Sequence, residues 1–161
     1  MPANPQLTVR PYQPDDQPEF KRLNLAWIEK LFSPEISDLR QLHTPQAEIL
    51  DKGGRILIAE LEGAVVGCVA LVPAHGDAGR VELIKMAVDE TQRGHGIGRA
   101  LMEACVETAR EMGAREIWLE SNTKLDAALA LYRKTGFRDL TGTEFQPSAY
   151  CRCDVQMLLE V

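Results

Sequence analysis

The chain has 161 residues, 45% of them hydrophobic, enough for one domain over residues 1–161 to bury about two-thirds of its unfolded surface without metal or disulfide staples. A formal net charge of −6 excludes a nonspecific nucleic-acid binder and a binder of anionic membranes, since both draw affinity from clustered Lys and Arg. No stretch approaches the ~18 apolar residues that span a bilayer, and residues 1–5 hold no basic-then-apolar leader, so a cytoplasmic protein is expected.

Leu7-Thr8-Val9-Arg10 alternates and stops at Pro11, which predicts a first strand. Phe20, Leu23, Trp27 and Leu31 recur at helical spacing, and Ser33-Pro34 ends that helix. A second helix is expected from Ile36 to Leu50, with Pro45 kinking or breaking it. Gly53-Gly54 marks a turn, and Arg55–Leu61 with Ala64–Val72 reads as a hairpin about Glu62-Gly63. After a loop over residues 73–78, Gly79–Val88 is the next strand, expected to carry Glu82, Ile84, Met86 and Val88 on one face.

A helix is expected from near Gly98, with Ile97, Leu101, Ala104, Cys105, Thr108 and Met112 as its stripe and Gly113 as its C-terminal cap. Glu116–Glu120 follows as a strand. Leu125, Ala128, Leu129 and Tyr132 then form the stripe of a helix ending at Gly136, and Phe137–Glu144 and Tyr150–Leu159 are expected as two closing strands. Cys68, Cys105, Cys151 and Cys153 all fall in these strands and helices, so reduced and mostly buried thiols are expected. Cys151 and Cys153 would share one strand face, and two thiols without a nearby His are too few for zinc, so no metal is expected. His43 and His75 are expected at the surface or in loops.

The segment Gln92-Arg93-Gly94-His95-Gly96-Ile97-Gly98-Arg99 is a glycine-dense turn between an apolar strand and an amphipathic helix. Backbone N–H groups bared by glycine, together with the donors of a helix N-terminus, suit the oxygens of a pyrophosphate, and Arg93 and Arg99 flank them as charge partners. A Gly-rich connection without a ligand is the competing reading. No Lys-Ser or Lys-Thr follows the glycines, which excludes a Walker loop. Gly94 to Arg99 also lacks the last glycine of a dinucleotide fingerprint, which disfavours a nicotinamide-dependent reductase.

The spacing Arg93-x-x-Gly96-x-Gly98 resembles the acetyl-CoA signature of the GNAT superfamily of N-acetyltransferases. Val81–Val88 is similar to the family's central strand, Glu120–Leu125 to its strand-to-helix junction, and Leu131-Tyr132-Arg133-Lys134-Thr135-Gly136-Phe137 to its Leu-Tyr-x-x-x-Gly-Phe ending. The resemblance covers about residues 55–159 in the family's order. It implies a single-domain α/β fold with a mixed central sheet of about seven strands, helices on both faces and a splayed central strand pair. Periodicity alone gives only the mixed α/β order.

The same resemblance implies acetyl-CoA as cosubstrate, direct transfer to a primary amine in a ternary complex, and a pantetheine arm paired with backbone groups of Met86, Ala87 and Val88. Arg93, Gly94, His95, Gly96, Ile97, Gly98 and Arg99 would surround the pyrophosphate, and Asn122 would bond the pantetheine arm or cap the next helix. Glu82 matches a general-base position, and a carboxylate in an apolar strand should ionise at raised pH. Glu82 could equally orient a water, bind a cationic substrate or pair with an Arg. Tyr132 matches a tyrosine that protonates the leaving thiolate, with an ordinary core aromatic as the alternative.

The acceptor pocket would fall to residues 27–50 and 141–151. The acidic residues Glu29, Glu35, Asp38, Glu48 and Glu144 there, against Lys30, Arg40 and His43, favour a cationic small-molecule amine; a protein lysine or N-terminal amine stays open. A noncatalytic acyl-CoA-binding module of the same fold is the runner-up function. A homodimer is expected from the family, with Tyr150–Leu159 as an exchanging or edge-pairing strand.

Overall fold

The computed structural model describes residues 6–74, 76–77 and 79–161, so His75 lies outside the described residues. Alternating and β-branched runs form β1 (Leu7–Pro11), β2 (Arg55–Leu61), β3 (Ala64–Pro73), β4 (Arg80–Val88), β5 (Glu116–Ser121), β6 (Arg138–Asp139) and β7 (Val155–Glu160). The helices are α1 (Gln17–Leu31), α2 (Ile36–His43), α3 (Ile97–Glu111) and α4 (Asp126–Thr135). The strands make one seven-stranded sheet in the order β1-β2-β3-β4-β5-β7-β6. Every neighbouring pair is antiparallel except β4 with β5, which α3 joins as a parallel crossover. The β2–β3 turn places Glu62 and Gly63 at φ 52° and 82°, the two left-handed residues of a type I′ hairpin.

Two cores lie on opposite faces of the sheet. Ile97, Leu101, Cys105 and Ala109 of α3 and Leu129 and Tyr132 of α4 pack on Val81, Leu83, Ile117, Leu119 and Met157. Phe20, Leu23 and Ile28 of α1 and Leu42 of α2 pack with Ile56, Ile58, Cys68 and Ala70 on the other face. Apolar stripes at helical spacing thus meet strand residues at period two, and the sheet has helices on both sides.

The strand pair β4–β5 holds register only from Arg80↔Glu116 to Leu83↔Leu119, although β4 continues to Val88 and β5 to Ser121. On its other side β4 carries a bulge: β3 advances from Cys68 to Ala70 while β4 goes from Ala87 to Ile84. Lys85, at φ 54°, occupies this extra position. The two strands therefore splay beyond Leu83.

The bulge corrects the face expected for β4. Ile84 packs with the α1 side, whereas Met86 and Val88 pack with the α3 side, because Lys85 interrupts the simple alternation. The long second helix is corrected too. Pro45 separates α2 from a short π-helical turn at Gln46–Leu50, closed by the Asp51 N–H on the Gln46 carbonyl. The expected strand at Phe137–Glu144 shrinks to β6, and that at Tyr150–Leu159 becomes β7, which lies inside the sheet beside β6. Residues 140–154 form a loop tied to the sheet by Gln156, which donates to the Gln146 carbonyl at 2.7 Å and accepts from its N–H at 2.8 Å. Cys151 and Cys153 therefore sit in a turn, Cys151 exposed, while Cys68 and Cys105 are buried free thiols. Among the described residues no helix is long and apolar enough to cross a membrane.

Candidate active site

The splay opens a cavity of about 900 Å³ between β4, β5, α1, α4 and the start of α3. Its lining includes Ile84–Val88, whose β5-facing edge has no strand partner. At one end it reaches the glycine turn. Gly96 precedes α3 with φ 73°, a conformation costly to a residue with a Cβ, and the chain there turns into the helix with its first N–H groups free. No backbone carbonyl among the described residues accepts from the N–H groups of Gly94 or Gly96. Gly98 sits deeper, where an added Cβ would stand 3.0 Å from Leu131 of α4. The pyrophosphate of a coenzyme fits this cradle of bare donors at a positive helix end.

Of the residues expected at the cofactor, Met86, Ala87, Val88, Arg93, Gly94, Gly96, Ile97, Gly98 and Asn122 all line this one cavity. The side chains of His95 and Arg99 do not: the His95 ring meets the Gln92 carbonyl at 3.0 Å, and Arg99 is exposed beside Glu103. Asn122 is not the cap of α4, which starts at Asp126. It donates to the Arg152 carbonyl at 2.6 Å and accepts from the Lys124 N–H at 2.9 Å, holding the β5–α4 junction against the 140–154 loop.

Tyr132 projects from α4 into the same cavity, stacked at a tilt 5.8 Å from Phe137. The helix ends there because the Phe137 N–H returns to the Tyr132 carbonyl at 3.0 Å across Gly136. Burial, with the nearby Cys105 second, pushes the Tyr132 hydroxyl above the ordinary phenol range, so it keeps its proton.

Glu82 lies on the half-buried face of β4, where burial, and then the charge of Glu120, raise its carboxyl to about 7 against the pull of Lys85. Glu120, from the facing part of β5, is also raised by burial, opposed by the Ser148 hydroxyl that donates to it at 2.7 Å and by Arg152. A carboxyl poised near neutrality in a cavity can take a proton from an amine.

Sequence reasoning did not single out Glu120, Lys85 or Arg152 as site residues. Lys85 is a charged residue inside an apolar strand, the same signal that drew notice to Glu82. The bulge turns it onto buried Asp38 of α2, Nζ to Oδ1 at 2.6 Å. Arg152 holds both oxygens of Asp38 at 2.7 Å, and although burial opposes ionisation, Arg152 and Lys85 keep Asp38 down at about 2. The acidic residues counted toward a cationic acceptor, Glu29, Glu35, Asp38, Glu48 and Glu144, stay out of the cavity lining; its acids are Glu82, Asp89, Glu90, Glu120 and Asp126, and Lys30, Lys85 and Arg152 are among its cations. Trp27, Leu31 and Tyr150 supply apolar wall. No group of three or more His, Cys, Asp or Glu among the described residues is placed to hold a metal.

An IAA acetyltransferase of Azospirillum brasilense is 37% identical over 108 residues, covering 66% of this chain and 65% of its own length. The chain spans about half the length of several other curated relatives it matches. A GNAT-family acetyltransferase structure from Staphylococcus aureus Mu50 superposes with a TM-score of 0.82 at 20% identity, over 96% of this chain and 99% of that one. A Salmonella typhimurium structure solved with acetyl-CoA gives 0.74 at 19% identity, over 96% and 93%. At these identities the structural likeness speaks for the fold alone. Residues 13–137 match the acetyltransferase (GNAT) family along most of the chain, and with the splayed strands and the glycine turn of α3 in place, this protein belongs to that family.

Proposed function

We propose that the protein transfers an acetyl group from acetyl-CoA to the primary amine of a small molecule, directly and without a covalent enzyme intermediate. The observation that carries this reading is the convergence of Glu82 and Tyr132 on one cavity whose wall is the unpaired edge of β4. In this reading the N–H groups around Gly94 to Gly98 hold the pyrophosphate, and the free edge of Met86 to Val88 pairs with the pantetheine amides as an added strand would. Acetyl-CoA supplies the activated acetyl thioester.

An amine enters as an ammonium and must lose a proton before it can attack. Glu82, titrating at about 7, accepts that proton at the pH where the reaction runs. The amine nitrogen then bonds the thioester carbon, the carbon–sulfur bond breaks, and a second proton leaves the nitrogen. Tyr132, held protonated by its burial, delivers one proton to the departing sulfur and recovers it from solvent. The balance is one amide, one free thiol and one released proton.

Calorimetric titration with acetyl-CoA, with NADH and ATP in parallel, followed by an amine screen read as free thiol, tests the reading. Acetyl-CoA binding with amine-dependent thiol release is expected. Binding without release from any amine would leave the noncatalytic acyl-CoA module, and no binding would overturn the reading altogether.

A further inference from the structure

The acceptor end of the cavity holds two cations, Lys85 and Arg152, beside the carboxyls of Glu82 and Glu120. The Lys85 side chain is only 4% exposed, and its ammonium uses one of three N–H donors on Asp38. The other two have no acceptor among the described residues, and the Tyr150 ring stands 5.3 Å away. Arg152 grips the same Asp38 and touches Glu35 at 3.5 Å, with its guanidinium 4.5 Å from the Tyr150 ring. Asp38 is saturated: Oδ1 accepts from Lys85 and Arg152, and Oδ2 from Arg152 and the Glu35 N–H at 2.9 Å. One fully buried carboxylate thus holds both cations, Arg152 having Glu35 besides, and both residues line the cavity. Arg152 is well supplied, lying over Trp27, Phe32 and Tyr150 as well, but a buried ammonium with two unbonded donors is costly, and a ligand anion at Lys85 relieves that cost.

Glu82 and Glu120 line the same cavity as these two cations. Glu82 feels the charge of Lys85, and Glu120 that of Arg152. A diamine or polyamine would satisfy Glu82 and Glu120 but would set its further ammonium against Lys85 and Arg152. A molecule with an amine and a carboxylate one carbon apart answers both charges at once, and Trp27, Leu31 and Tyr150 offer apolar surface to its side chain.

We infer that the acceptor is a free α-amino acid with an apolar side chain, its carboxylate received by Lys85 and its amine held at Glu82 and Glu120. This rests on the proposed acetyl transfer at the same site. The bonds made and broken are those given above: nitrogen to acyl carbon forms, carbon to sulfur breaks, and one proton ends on the sulfur.

The test uses the full chain with acetyl-CoA and reads free thiol. The acceptors are L-leucine, L-methionine and L-phenylalanine, each beside its amide and its decarboxylated amine, together with putrescine, spermidine and a tripeptide with a free N-terminus. At least one amino acid is expected to exceed its own amide and amine about 10-fold or more in kcat/KM, since a site built to bond a group rejects the analogue lacking it. The amide has the larger neutral-amine fraction, so basicity does not produce that preference. Lys85→Met is expected to narrow the acid-to-amide ratio below about 3-fold; being a ratio within one protein, it is unmoved by partial misfolding, and acetyl-CoA titration confirms the fold. If Lys85→Met does not fold, the acid-to-amide comparison in the unaltered chain still decides. Amides, polyamines or the peptide used as well as the amino acids would overturn the inference and leave acetyl transfer standing. Acetyl-CoA binding with no thiol from any acceptor would overturn both.

Discussion

A carboxyl group that ionises only near neutrality weakens the fold even as it suits the base of the proposed transfer. An ordinary Glu ionises near 4.5, whereas Glu82 holds its proton to about 7. Between those values the folded chain binds more protons than the unfolded one, so Glu82 subtracts stability as pH rises through that window. Glu82→Gln is expected to raise the thermal midpoint at pH 8 by roughly 2–4 °C, the shift about 1 kcal/mol gives in a domain of this size, with little gain at pH 5. The same variant should lose about 10²-fold or more in kcat/KM, and with it the rise in rate through pH 7, measured by free-thiol release across pH. Asp38 has the opposite sign: its contribution is present above 3.8 and is lost as pH falls toward 2. Tyr132→Phe should cut kcat 10-fold or more and leave acetyl-CoA affinity nearly unchanged by calorimetry. Glu82 was legible because a charge inside an apolar strand stands out. Lys85 carries the same mark, but its burial on Asp38 follows from a left-handed backbone position that no residue type announces.

Among the elements, the start of α3 was the most legible, since a glycine-dense run before an amphipathic stripe has few other uses. Gly96→Ala forces a Cβ into φ 73° at the mouth of the cradle, a strain of about 1 kcal/mol, and should weaken acetyl-CoA about 5-fold by calorimetry. The ion cluster joins α2, β4 and the 140–154 loop, elements far apart in sequence. Asp38→Ala strands Lys85 and Arg152 beside each other and should cost about 3–5 kcal/mol, read as a lower urea midpoint. The closing strands were less legible. Phe137–Glu144 carries strand-like residues, but only Arg138 and Asp139 find partners on β7, and the loop beyond them satisfies its backbone through Gln156 instead. Pro45 was visible as a breaker, whereas the π-helical turn after it depends on the packing of Ile49, which is fully buried.

At the scale of the molecule, the order of strands and helices was readable from periodicity, and family resemblance supplied the splay that periodicity could not. A coenzyme lying between β4 and β5 would tie together the two halves of the sheet that separate beyond Leu83. Acetyl-CoA at 100 times its Kd is therefore expected to add about 2.7 kcal/mol of stability, raising the thermal midpoint by roughly 5–10 °C, with NADH at the same concentration giving no shift. The bulge at Lys85 has a further consequence, for the length of the chain. With Lys85 left out, Leu83, Ile84, Met86, Ala87 and Val88 would still alternate between the same two cores they face now. The sheet can count without that residue, and the bend it imposes on β4 cannot. A one-residue deletion there would spare the two apolar cores, take the ammonium off Asp38 and straighten the strand that walls the opening.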